Sequence, residues 1–288
     1  MNDETVGIVL VLISAIGFGT LGIFGMLAAE EGVSIPTVLA LRFGLATVVL
    51  WMVLQLRGRF RLLTGRTLGI ALALGGIGYA TQSGLYFLGL EFLTAGMVAI
   101  VLYTYPAFVV CIVAITNPNR VTKRLLIALG LSIGGVALIT GADPVGVDPR
   151  GIAIVLGAAV AYSLYIVVSQ RALVTTDAEV LTAFVLPAAA GSFIAFGVST
   201  DTLAMPGSVS AWGVILAIAI LATVVPVLTF FAGIAKIGAS RASIISTAEP
   251  VVTVTLGVLV LGEAVTIVTA LGGLLVIIGV ILIQLEGS

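Results

Sequence analysis

The 288-residue sequence has no histidine and only one cysteine, Cys111. The missing histidine excludes zinc sites built on imidazole, Ser-His nucleophilic catalysis and HExxH chemistry, as well as histidine proton relays. A lone cysteine excludes an intrachain disulfide. No aspartate falls inside a confident apolar run, so no intramembrane aspartyl pair is available. No GxxxxGK[ST] loop appears, so the chain does not use ATP directly. Charged residues make up 9% of the chain and the net charge is −1; that leaves no basic field for nucleic acid. The expectation is a non-enzyme that holds no metal and no cofactor.

What fills the chain is apolar. Hydrophobic residues make up 60% and mean hydropathy is +1.32, whereas soluble domains carry about 25% charged residues. This is the composition of an all-α integral membrane protein, with the lipid bilayer as its main partner. Apolar runs between Gly, Pro and charge breaks predict ten transmembrane helices. Their limits are 6–27, 36–56, 68–90, 93–115, 122–141, 150–170, 179–199, 211–235, 240–261 and 265–285. The breaks at Glu91 and near Gly238 are short and predict tight helical hairpins. The N-terminal Met1–Thr5 lacks the basic region of a cleavable signal, so the first run is expected to stay. With the N-terminus inside, the inner connections hold Arg57, Arg59, Arg61, Arg66, Arg120, Lys123, Arg124, Arg171, Lys236 and Arg241. The outer connections hold Arg150 alone. The positive-inside rule then places both termini in the cytoplasm of a multi-pass cell-membrane protein.

A repeat runs through the chain at an offset of 144 residues. Gly7-Ile8 recurs as Gly151-Ile152, Phe87-x-Gly89 as Phe231-x-Gly233, and Pro106 as Pro250. Val121-Thr122 recurs as Val265-Thr266, and Gly135-Val136-x-Leu138-Ile139 as Gly279-Val280-x-Leu282-Ile283. The expected units are residues 1–144 and 145–288, each of five helices. Five is odd, so the second unit must enter from the opposite side, giving two inverted repeats. The openings Gly7–Gly19 and Gly151–Ser163, with Glu249-Pro250-Val251 followed by Leu261-Gly262-Glu263 and Thr266, resemble the drug/metabolite transporter superfamily, EamA type. In the first half Asn117-Pro118-Asn119 stands in place of Leu261-Gly262-Glu263, which departs from that pattern. The resemblance implies a transporter, and export of amino acids or related metabolites.

The chemistry centres on Glu249, near the middle of the ninth run. A carboxylate at that depth costs roughly 2.5–3.5 kcal/mol on insertion scales. Pro250 beside it lacks an N–H and frees a carbonyl one turn earlier, near Ser246. Glu249 is a candidate for proton coupling or substrate binding; a structural, protonated acid bonded to Ser246 or Thr253 is the alternative. Tyr79, Gln82, Ser83 and Tyr86 share one face of span three, and Tyr162, Ser163 and Tyr165 lie on span six. Thr223, Pro226 and Thr229 nearly share a face of span eight, and Tyr105 corresponds to Glu249 through the repeat. These residues, with Ser246, form the expected cavity wall; interhelical hydrogen bonding and packing are the alternative reading. Pro106, Pro226 and Pro250 are expected to kink their helices. Arg42, the one basic residue well inside a span, is structural or anion-binding. Glu30, Glu31, Glu91 and Glu263 are expected to be solvated at the outer surface. Glycines at 17, 19, 22 and 25 allow close approach or bending. Gly130, Gly134, Gly272, Gly273 and Gly279 suit helix packing, either between spans five and ten or in a homodimer.

Two classes remain. The leading one is a secondary transporter moving a small-molecule substrate by alternating access, with a proton or sodium gradient, facilitation or exchange all open. The other is a structural or regulatory membrane protein, against which the short loops count.

Overall fold

The computed structural model describes residues 2–116, 123–142 and 147–286. Asn117-Pro118-Asn119, Arg120 and Val121-Thr122 lie outside the described residues. Every predicted span coincides with a helical stretch. The first is α1 (Asp3–Gly19) and α2 (Leu21–Glu30); the second is α3 (Ile35–Leu56). The third is α4 (Gly65–Ala73) and α5 (Ala80–Gly89), joined by a π-helical turn at Leu74–Tyr79. Next come α6 (Ala95–Leu102), α7 (Tyr105–Thr116), α8 (Lys123–Ala142), α9 (Pro149–Leu173) and α10 (Ala178–Ser199). Then α11 (Val209–Ala219) and α12 (Val225–Ile237) flank a second π turn at Ile220–Val224. The chain ends in α13 (Ala239–Ser246), α14 (Ala248–Leu261) and α15 (Ile267–Glu286). Among the described residues, six helical stretches are long and apolar enough to cross a membrane: Asp3–Glu30, Ile35–Leu56, Pro149–Gln170, Ala178–Ser199, Val209–Ile237 and Ile244–Leu261.

Side-chain caps start several helices where the sequence offers a short polar residue. Asn2 accepts from the Thr5 amide at 2.8 Å, Thr94 from Met97 at 3.2 Å and Ser208 from Ala211 at 2.9 Å. Gly262, at φ +66°, ends α14 in a left-handed conformation that a side chain would strain.

The two halves pack through matched contacts. α1 packs on α12 and α14, and its repeat mate α9 packs on α5 and α6–α7. α3 packs on α10 and α8 on α15, each pair being mates of one another, while α6 packs on α14, which is the mate of α7. The π turns also fall at equivalent places. The contact pattern is thus that of a pseudo-two-fold pair.

The glycines expected to serve packing do so unequally. A Cβ on Gly135 would fall 2.5 Å from the Gly272 carbonyl, and one on Gly279 2.6 Å from Ser132 Oγ, so α8 and α15 touch backbone to backbone within the chain. Gly130 and Gly134 have open space beside them. In α1 and α2, Gly17 faces Pro226, Gly19 faces Val252, Gly22 faces the Tyr86 hydroxyl and Gly25 faces Leu90. These are packing positions.

Candidate functional site

Two helices break at the same depth. α6 stops at Leu102 and α7 restarts at Tyr105; α13 stops at Ser246 and α14 restarts at Ala248. Pro106 and Pro250 follow these breaks, each in the first turn of the new helix, where a missing N–H removes no helical bond. They therefore begin new helices and do not bend continuous ones. Pro226 likewise sits at the start of α12, directly after the π turn.

The carbonyl that Pro250 leaves free is that of Ser246, and it has found a partner. The Tyr103 hydroxyl donates to Ser246 O at 2.6 Å and lies 2.7 Å from Glu249 Oε2. One hydroxyl carries one proton. That proton is shared between the two acceptors when the carboxyl group is ionised; when the carboxyl group is protonated it donates to the Tyr103 oxygen and both contacts are full hydrogen bonds. Thr253, proposed from sequence as a partner of Glu249, instead donates to Gly19 O at 2.9 Å and to the Glu249 backbone carbonyl at 3.1 Å.

These groups open on a chamber of about 140 Å³. Of the residues singled out in the sequence, Tyr79, Gln82, Ser83, Tyr86, Tyr105, Tyr162, Ser246, Glu249 and Arg42 line it. The Glu249 carboxyl faces this chamber and not the lipid side. Gln82 and Ser83 are buried and bonded to each other at 3.0 Å. Phe18, Leu21, Leu102, Tyr103 and Phe230 complete the lining; Phe18 is the repeat partner of Tyr162 that the sequence offers as an aromatic cap, and sequence reasoning missed the other four. Tyr103 is the consequential omission. It stands two residues before Tyr105, about 200° around a continuous helix. The break at Tyr103–Thr104 brings both rings to one side. The signal was present in Tyr103-Thr104-Tyr105-Pro106, where a proline two residues after a polar pair marks the break.

Three expected wall residues lie behind the lining. Ser163 is fully buried and donates to Tyr105 O at 2.8 Å and Ala159 O at 2.7 Å. Thr223 is fully buried and holds Arg42: the guanidinium Nε donates to Thr223 Oγ1 at 2.9 Å. Tyr165 faces a separate apolar cavity of about 390 Å³. Its ring is nevertheless part of a continuous series. Ring centroids run Tyr103–Tyr105 at 5.9 Å, Tyr105–Tyr162 at 4.7 Å, Tyr162–Tyr165 at 6.0 Å, Tyr165–Tyr79 at 5.4 Å and Tyr79–Phe43 at 5.4 Å. The Arg42 guanidinium then sits 4.7 Å from the Phe43 ring centroid. An aromatic path thus leads from the acid to the base.

The ends of the bundle carry ion pairs. Asp3 pairs with Lys236 at 2.5 Å and Glu4 with Arg241 at 2.7 Å; Arg59 meets Glu179 at 3.3 Å. The hydrogen bond from Lys236 holds the exposed Asp3 carboxyl below its usual range. At the other end Glu31 is exposed and bonded by Ser208 at 2.8 Å; hydrogen bonds from Ser210 and Ser208 lower its pKa. Glu263 departs from expectation. It is half-buried and accepts from the amides of Ala95 at 2.6 Å and Gly96 at 3.2 Å. It therefore caps α6 from the opposite half of the chain, where an anion complements the helix dipole.

Among the described residues no cluster of metal-ligating side chains occurs. The arrangement suits binding and proton exchange with a small solute. Residues 5–141 and 149–285 each match the EamA-like transporter family. A Bacillus subtilis (strain 168) protein called "Uncharacterized transporter YcbK" is 26% identical over 285 residues, covering 94% of this chain and 90% of its own length. An Archaeoglobus fulgidus "Uncharacterized transporter" is 27% identical over 247 residues, covering 85% and 86%. One solved structure, described as "Crystal structure of protein", aligns at a TM-score of 0.67 and 20% identity over 96% of this chain and 95% of its own; this likeness shows the fold.

Proposed function

The chain belongs to the EamA-like transporter family, a multi-pass protein of the cell membrane, and from that premise we propose that it exports a small metabolite by alternating access. The solute is an amino acid or a related polar or amphipathic molecule. Ten membrane spans in two inverted halves, with both termini cytoplasmic, complete the proposal. The observation that carries it is the chamber at the two helix breaks. Discontinuous helices meeting a polar cavity between repeats are how secondary transporters build a midplane site. The chamber draws its lining from both halves: Tyr103 and Tyr105 from one, Ser246 and Glu249 from the other.

Proton coupling through Glu249 is part of the proposal. With the proton in place, Tyr103 bridges the carboxyl group and Ser246 O. When the proton leaves, the Tyr103 hydroxyl turns to the carboxylate and Ser246 O loses its partner. The α13–α14 break is then free to change shape. Besides Glu249 and Tyr103, the ionisable groups in the lining are Arg42, Tyr79, Tyr86, Tyr105 and Tyr162. The test is flux of a metabolite panel into proteoliposomes, with and without a pH gradient. Wild-type flux should respond to the gradient and Glu249→Gln should not. Gradient-independent wild-type flux would refute proton coupling, and an absence of flux for every metabolite would refute transport.

A further inference from the structure

Arg42 is 1% exposed. A guanidinium cannot shed its proton and offers five N–H donors. Nε is committed to Thr223, whose own proton goes to Ile218 O at 2.9 Å, so that bond has a fixed direction. The Nη groups have rings and a phenol around them: Phe43 at 4.7 Å, Phe87 at 6.0 Å and Tyr79 beside them. Among the described residues no ion pair within 4 Å includes Arg42. A buried charge without a counter-ion is strongly unfavourable, and this one lies in the chamber wall.

Glu249, also in the lining, does not supply the missing charge. Its carboxyl group is engaged by Tyr103 at 2.7 Å and makes no ion pair with Arg42 within 4 Å. Held there, it does not reach the guanidinium. Arg42 is the one cation in the lining, which matches a single negative charge better than a phosphate dianion. The tyrosines of the lining offer ring faces for an apolar body.

Given that the chamber is where the solute sits, we infer that Arg42 is a carboxylate-binding subsite, and that the solute is a monocarboxylate with an aromatic or apolar body and an optional amino group. The specificity element is the end-on pair of Nη groups, aimed by Thr223.

Calorimetric titration of the full chain in nanodiscs tests this with 3-phenylpropionate, 3-phenylpropylamine, phenylalanine and inorganic phosphate. The acid and the amino acid should bind within about tenfold of each other, and the amine and phosphate at least about 100-fold more weakly. Arg42→Gln should weaken 3-phenylpropionate binding by at least about tenfold while its unfolding midpoint stays level or rises. A lower midpoint with unchanged affinity would make Arg42 structural and overturn the inference. So would an amine that binds as tightly as the acid, phosphate that binds more tightly, or failure of both carboxylates to bind. If Arg42→Gln does not fold, the wild-type ratio of acid to amine decides alone. Carboxylate binding without flux would sink transport and leave the subsite standing.

Discussion

Replacing Tyr103 with phenylalanine removes one oxygen from the chamber wall and leaves the ring in place. That oxygen serves two groups in the other half of the chain, Ser246 O at 2.6 Å and Glu249 Oε2 at 2.7 Å. The Ser246 carbonyl has no amide to fall back on, because Pro250 occupies the position four residues on. Interhelical hydrogen bonds in membrane proteins contribute about 0.6 kcal/mol on average and about 1.7 at most. Two of them give Tyr103→Phe an expected loss of about 1–3 kcal/mol. The assay is reversible unfolding in mixed micelles, followed by circular dichroism, within a double-mutant cycle with Glu249→Val. The single losses should fail to add, with a coupling of at least about 0.5 kcal/mol. Additive effects, or a Tyr103→Phe protein as stable as the parent, would refute the bridging role.

Further outcomes follow from the same geometry. Glu249→Gln keeps a donor for the Tyr103 oxygen, so its unfolding free energy should stay within about 0.5 kcal/mol of the parent; a larger loss would mean the acid is ionised. Glu263→Ala removes the acceptor for two amides and should cost about 1 kcal/mol, with faster amide hydrogen exchange at Ala95 and Gly96. Gly257→Ala would drive a methyl group into the Glu263 side chain; the same amides should then lose protection, and unaltered exchange would dismiss the cap. Arg150 holds the half-buried Asp148 carboxyl below its usual range, while Asp148 caps α9 through the Arg150 amide at 2.8 Å. Because the folded value is depressed, the cap is fully present above the ordinary carboxylate range and is lost as pH falls through the lowered value. Exchange at residues 150–153 should rise only in that acid limb, and a rise at neutral pH would contradict it.

Much of this was legible in the chain. Apolar runs located every helical stretch, since in hydrocarbon the backbone has no other way to satisfy itself. The carbonyl left free by Pro250 followed from the chemistry of proline. What escaped were effects of three-dimensional neighbours. Tyr103 joins the site only because the helix stops at Leu102, and helical periodicity assumes it does not. Glu263 looked solvated because the donors it accepts from, the amides of Ala95 and Gly96, lie 168 and 167 residues away. Thr223 carries the periodicity of a wall residue, but the π turn swings it behind Arg42, where it orients the base instead of meeting solute.

The glycine seam between α8 and α15 bears on how such a molecule can move. Gly135 and Gly272 bring two backbones together with no side chain between them, and the two helices belong to different halves. A contact of that kind has no compliant layer in which to slip. The two halves are therefore pressed together along this margin, and a relative motion that preserves the α8–α15 contact turns about it as the covers of a book turn about its spine.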